Sequence, residues 1–137
     1  MKIMIDTNVF LDVLLDRDRL ANASSDVLTL CENGVIKGMV SASCITDIFY
    51  IVRKNLHSTE AAYGAIGNIL RIAEVCSVSA AEVSAAFERR AKDFEDCLLA
   101  VCAASCGCDC LVTRNTKDFA NLGISLKTPE ELIEEYR

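Results

Sequence analysis

Four aspartates of this chain stand where a carboxylate can do chemistry. Asp6 directly follows the apolar run Ile3-Met4-Ile5, Asp47 falls about one turn into a helical pattern that opens near Ser43, and Asp96 ends the string Asp93-Phe94-Glu95-Asp96. Asp118 comes five residues after Thr113, with Asn115 between them. Ionised carboxylates gathered in one place repel one another, and some are driven toward protonation unless cations hold them. An all-oxygen donor set of this kind suits Mg²⁺ or Mn²⁺. One or two such ions between aspartates activate a water and stabilise a leaving oxygen, which is the chemistry of phosphoester hydrolysis. Each acid also has a plainer use by itself: Asp6 as a helix N-cap, Asp96 as a first-turn carboxylate behind an Asp93 cap, Asp47 as a solvated helix residue, and Asp118 as a loop acid. The chemical reading therefore rests on all four converging.

Convergence depends on the elements that carry them. Apolar runs of strand length alternate with helical patterns along the whole chain, which predicts an α/β fold. Strands are expected at residues 2–5, 35–40, 74–78, 110–113 and, as a short edge, 124–126. Between them, helical spacing appears after Asp6-Thr7-Asn8 (Val9, Phe10, Val13, Leu14) and from about Ala21 to Cys31, ending at Asn33-Gly34. A helix capped by Ser43 carries the stripe Ile45, Ile48, Phe49 and Val52. Further helices are expected over 59–71 and 80–90, from Asp93 to a stop at Gly107, and from Pro129, a residue suited to a first turn. These elements predict one three-layer α/β/α domain over residues 1–137, with a mostly parallel sheet of four or five strands. In such open sheets ligands bind outside the carboxyl ends of the strands, where strand order reverses. Asp6 stands at such an end.

Composition narrows the class. With 137 residues, 52% apolar and 25% charged, one proline and six glycines, disorder and repeat arrays are excluded and one core is expected. The net charge of −6 argues against capture of nucleic acid by general basicity. It leaves open an enzyme that meets phosphates through metal ions. A charge at Asp6 interrupts the first apolar run, and no apolar run reaches the ~20 residues needed to span a bilayer, so a cytoplasmic protein with no membrane partner is expected. In that compartment the eight cysteines are expected to be reduced. Cys102, Cys106, Cys108 and Cys110 raise a zinc reading. Core packing is preferred, because Cys-x-Cys-x-Cys lacks the two-residue knuckle spacing and the first two residues fit a helix interior.

The strings Asp6-Thr7-Asn8-Val9-Phe10-Leu11-Asp12, Asp93-Phe94-Glu95-Asp96 and Thr113-Arg114-Asn115-Thr116-Lys117-Asp118-Phe119 resemble the three motif regions of PIN-domain ribonucleases. Size, motif order and α/β alternation fit one such domain over essentially the whole chain. The resemblance implies a metal-dependent endoribonuclease of single-stranded RNA, similar to the VapC-like toxins that pair with a small antitoxin. Carried over by position, Asp6 and Asp96 match metal-binding acids, and Asn8 matches the polar residue that orients the site. Asp47 stands where the family usually has Glu and is one methylene shorter. The fourth acidic position falls either on Asn115, which brings no charge, or on Asp118. The resemblance thus implies Mg²⁺ or Mn²⁺ held by Asp6, Asp96, Asp47 and Asp118.

Arg114, Lys117, Arg53 and Lys54 are candidates for the RNA backbone, by their nearness to the motifs. Phe10, Leu14, Leu15 and Leu20 offer an apolar surface for a homodimer or an antitoxin. Three other readings compete. A dehalogenase-like phosphatase needs a second Asp where Asn8 stands, and a receiver domain needs an acidic pair that is missing. The third is a PIN-like domain with a degenerate site that only binds RNA or a partner. His57, at a helix end, is given no role.

Overall fold

The computed structural model describes residues 1–17 and 19–137, with Arg19 by its backbone only. Strand β1 (Lys2–Ile5) leads into α1 (Thr7–Leu14) and α2 (Arg19–Glu32), then β2 (Lys37–Ser41), α3 (Ala42–Leu56), α4 (Thr59–Ile72) and β3 (Glu74–Cys76). There follow α5 (Ala80–Arg89), α6 (Phe94–Ser105), β4 (Cys110–Val112), a 3₁₀ turn (Thr116–Phe119), β5 (Leu126–Lys127) and α7 (Pro129–Glu135). The sheet runs β3-β2-β1-β4-β5 and every pairing is parallel, with Ile3 opposite Gly38 and Cys110. Helices cover both faces, the three-layer α/β/α arrangement expected. Coverage on both sides explains why Ile3, Met4, Ile5, Leu111 and Val112 form unbroken apolar runs, all fully buried, instead of alternating with polar residues.

Caps set the boundaries. Ser41, rather than Ser43, caps α3: its backbone is extended and its hydroxyl accepts the Ser43 amide at 3.3 Å. The strand therefore passes into the helix without a loop, one residue past the expected end of β2. Ser79 with Glu82, and Thr128 with Glu131, close reciprocal capping boxes on α5 and α7. β5 lies at Leu126–Lys127 rather than 124–126, because Leu126 is the residue that meets Leu111 of β4. Among the described residues no helix is long and apolar enough to cross a membrane.

Gly38 marks the tightest packing. A Cβ there would lie 2.8 Å from the Cys31 sulfur and 3.1 Å from Ile5 Cδ1. Gly38→Ala is therefore expected to destabilise the fold by about 1–3 kcal/mol through overpacking, read as a lower urea midpoint at unchanged slope.

The expectation of eight reduced cysteines is corrected at one pair. Cys76, at the end of β3, and Cys106, at the C-cap of α6, are joined as a disulfide with Cα atoms 6.6 Å apart. The packing that brings α6 against the sheet juxtaposes them, and a spacing of 30 residues in sequence gave no hint of it. The other six are free, and five of these are buried. Burial pushes the Cys31 and Cys108 thiols up to about 11 and Cys44 up to about 12, which suits packing rather than reactivity. With Cys106 paired, the four-cysteine zinc reading loses a ligand.

Candidate functional site at the sheet switch point

The chain leaves β1 toward β2 on one side and returns to β4 on the other, so strand order reverses at the β1–β4 pair. Asp6 follows β1 and Thr113-Arg114-Asn115 follows β4, at the carboxyl ends where the fold leaves a crevice. Asp6 is the N-cap of α1, its carboxylate accepting from the Thr7 amide at 2.8 Å. Its other oxygen accepts from the Thr113 hydroxyl at 2.8 Å and from the Asn8 side-chain amide at 3.1 Å. Burial pushes the Asp6 carboxyl up, against the hydrogen bonds from Thr113 and Thr7 and the charge of Arg114, while Asp118 adds to the rise. Both the capping and the chemical reading of Asp6 thus describe the same side chain.

Asn8 ties the two motif segments together. Its amide nitrogen also approaches the Thr113 hydroxyl at 3.3 Å, and its carbonyl accepts the Arg114 amide at 3.4 Å. Thr113 is fully buried, and its hydroxyl accepts the Asn115 amide at 3.1 Å while donating to Asp6. Sequence reasoning passed over Thr113, treating it as the last residue of a strand. A hydroxyl next to a charged loop, on a strand paired with β1, was the available signal.

The remaining acids come from α6, α3 and the 3₁₀ turn. Asp93 caps α6 by accepting the Asp96 amide at 3.0 Å, as expected. Asp96, partly buried in the first turn, is pushed up to about 6 by burial first, then by Asp93, Asp6, Asp118 and Glu95. Glu95 is raised by burial and by Asp47, Asp93 and Asp6. Asp6, Asp96 and Asp118 therefore share one field, while exposed Asp47 enters it from the side of Glu95 and the buried Cys44. Exposed Asn115 precedes the 3₁₀ turn that carries Asp118. Among the described residues no three His, Cys, Asp or Glu side chains lie close enough to clasp one ion. The acids converge as a field rather than as a closed coordination shell.

Asp12 was quoted only as part of the first motif, and the structure gives it a position of its own. It is a fully buried carboxylate, accepting from Arg114 Nε at 2.8 Å and from the Ser24 hydroxyl at 2.9 Å, with Arg17 Nη1 3.8 Å from its other oxygen. Arg114, a candidate for contacting RNA, is thus committed to an internal ion pair. Arg53 lies over the Phe49 and Tyr50 rings, its guanidinium carbon 5.7 and 5.9 Å from their centroids. A cleft of about 980 Å³ opens beside Asp96 and Asp118, lined also by Arg89, Lys92, Lys117 and Leu122.

A five-stranded parallel α/β/α sheet with acids near its switch point defines a class of small α/β domains. Within it, this chain belongs to the PIN-domain family, whose model matches residues 2–117 and so ends one residue short of Asp118. Solved structures of other proteins share the fold, among them the following two. One, described as VapBC2 from Rickettsia felis bound to a DNA fragment from their promoter, aligns with a TM-score of 0.72 at 19% identity, covering 93% of this chain and 98% of that one. The other, Mycobacterium tuberculosis VapC20, described as a Sarcin-Ricin loop cleaving toxin, aligns with a TM-score of 0.68 at 17% identity, covering 89% and 95%. No curated protein sequence matches the chain.

Proposed function

We propose that this protein is a metal-dependent endoribonuclease that cuts single-stranded RNA, and that it acts as the toxin of a toxin–antitoxin pair. The observation that carries the reading is the shared field of Asp6, Asp96 and Asp118 at the switch point. Family membership supports it, as does the likeness in fold to a toxin described as cleaving an RNA loop. The likeness to a structure described as VapBC2 supports a small antitoxin as partner. A homodimer is part of the same proposal, with residues 1–137 as a single domain in the cytoplasm.

The donor set fits a hard divalent cation: it offers only carboxylate and amide oxygen, and two of its acids, Asp6 and Asp96, have carboxyls raised by burial and by neighbouring acids. Asp6 and Asp96 would hold Mg²⁺ or Mn²⁺, with Asp118 and Asp47 completing the set. When bound, the ion supplies polarisation of the scissile phosphate and a lowered pKa for the attacking water. The chain's own residues do the rest. Thr113 and Asn8 fix the rotamer of Asp6, the Thr7 amide holds its inner oxygen, and Asn115 presents an uncharged amide at the rim. The Asp96 carboxyl, raised to about 6, can also take up a proton just below neutral pH.

A second reading is favoured by one observation, the absence among the described residues of three acids within clasping distance. It is the catalytically degenerate domain that binds RNA or a partner. The two separate on one experiment: Mn²⁺-stimulated cleavage of a single-stranded oligoribonucleotide, removed by EDTA, is expected for the nuclease and absent for the binding module.

The same cation is expected to raise the melting temperature, by about 10 °C at roughly 100 times its Kd, where mass action contributes ~2.7 kcal/mol. The shift should be larger at pH 7.5 than at pH 5. Because the Asp96 carboxyl is raised from 3.8 to about 6 in the fold, the metal-free protein holds an extra proton between those values. Its stability contribution is fully present below 3.8 and lost as pH rises through about 6. A cation relieves that loss at pH 7.5 and competes with protons at pH 5. Equal shifts at the two pH values would exclude Asp96 from the binding set.

A further inference from the structure

We propose that the cleft beside Asp96 and Asp118 is a subsite for the RNA strand flanking the cut, with Lys92 and Lys117 as its phosphate contacts. The inference rests on the nuclease reading above and adds where the substrate lies.

One wall of the cleft is the end of α5 and the connection to α6, with Arg89, Ala91, Lys92 and Asp93; the other is the 3₁₀ turn and the loop after it, from Lys117 to Gly123. At about 980 Å³ it lies at the upper end of the ~300–1,000 Å³ usual for ligand clefts. Arg89 braces the two walls, donating from Nη1 to the Leu122 carbonyl at 2.9 Å. The two walls are therefore tied to each other at that point.

Charge points to its occupant. The chain carries −6, and a polyanion approaching Asp6, Asp96 and Asp118 meets repulsion unless cations stand close by. The described basic side chains near the motifs differ in what they have left to give. Arg114 is bound to Asp12, and Arg53 lies over two aromatic rings. Lys92 and Lys117 are exposed, enter no ion pair among the described residues, and face the same cleft as Asp96 and Asp118. Lys117 neighbours Asp118, and Lys92 precedes the Asp93 cap. A phosphodiester placed at the acids thus continues into a channel with one ammonium on each wall. Lysines of this kind contact backbone phosphates without reading bases, so the subsite gives affinity and strand direction rather than sequence choice.

The test uses the full chain with a fluorescent single-stranded oligoribonucleotide, Ca²⁺ replacing the active metal, and anisotropy across a salt series. Lys92→Glu/Lys117→Glu is expected to bind at least 10-fold more weakly than the parent. Lys92→Gln/Lys117→Gln is expected to fall between and to lower the slope of log K against log salt by about 1.4, roughly 0.7 per lost phosphate contact on a single strand. Arg71→Glu, at the end of α4 beside the start of β2 and outside the cleft, should stay within 2-fold. In Mn²⁺ the Gln pair should raise KM with kcat unchanged. Parent-like affinity and slope in both cleft variants, or an equal loss in Arg71→Glu, would overturn the subsite and leave the nuclease reading standing. A parent protein that binds no RNA would overturn both. Unchanged melting temperatures establish that the exposed lysines were not needed for folding.

Discussion

Asp6→Asn is expected to lower metal-stimulated RNA cleavage by about a thousand-fold or more, ~4 kcal/mol of transition-state stabilisation, while the protein melts within a few degrees of the parent. The two halves of that expectation have separate causes. Activity falls because Asp6 is the acid best placed to hold a cation: it sits at the switch point, and its rotamer is locked by Thr7, Asn8 and Thr113. Asparagine keeps the shape and loses the charge. Stability changes little because two effects oppose. The substituted amide puts an NH₂ group where a donor already stands, either Thr7 or the pair Thr113 and Asn8, and the mismatch costs about 1–3 kcal/mol. Burial disfavours the Asp6 charge, and removing that charge offsets the mismatch. Steady-state cleavage in Mn²⁺ and a thermal melt without metal read the two halves. Parent-level cleavage in nuclease-free preparations would remove Asp6 from the mechanism.

The fold was legible in the sequence where a single physical requirement dominates. The central strands announced themselves as short unbroken apolar runs, because a strand covered on both faces has no solvent side to pattern. Gly34 and Gly107 marked helix ends because both positions need a positive φ, +75° and +73°. Boundaries set by competing hydroxyls were less legible: Ser41 and Ser43 are equally good caps by type, and only the extended backbone at Ser41 decides between them. Near the switch point, the capping roles of Asp6 and Asp93 could be read because cap chemistry is local to strand and helix ends. Thr113, Asp12 and the Cys76–Cys106 pair could not, because each acquires its meaning from a contact across the sheet. Basic residues show the same division. Nearness to a motif in sequence suggested Arg114, whose side chain turns inward, and applied equally to Lys92 beside Asp93, which lines the cleft.

Asp12→Ala is expected to cost about 3–5 kcal/mol, a large part of the ~5–15 kcal/mol that holds an ordinary domain together. The carboxylate, carried by α1, is fully buried against Ser24 of α2, and it is the ion-pair partner of a half-buried guanidinium. Removing it strands Arg114 without its carboxylate, leaves the Ser24 hydroxyl without its acceptor, and opens space in the core. The damage then travels along the backbone, since Arg114 follows Thr113, whose hydroxyl orients Asp6. Asp12→Asn, which can still accept from Ser24, should lose less. The decisive comparison is the double variant Asp12→Ala/Arg114→Ala. If the cost comes mainly from an uncompensated charge, deleting Arg114 as well should recover at least ~1 kcal/mol relative to the sum of the single losses. Urea unfolding of the four proteins measures this directly. Additive losses would mean that Asp12 matters for packing alone, and a single-variant loss below ~1 kcal/mol would remove it as the anchor of the Thr113–Asn115 loop. Cleavage assayed well below each melting temperature adds the link to function: at equal folded fraction, Asp12→Asn should cut more slowly than the parent, because a loosened Arg114 leaves Thr113 free to release the Asp6 carboxylate.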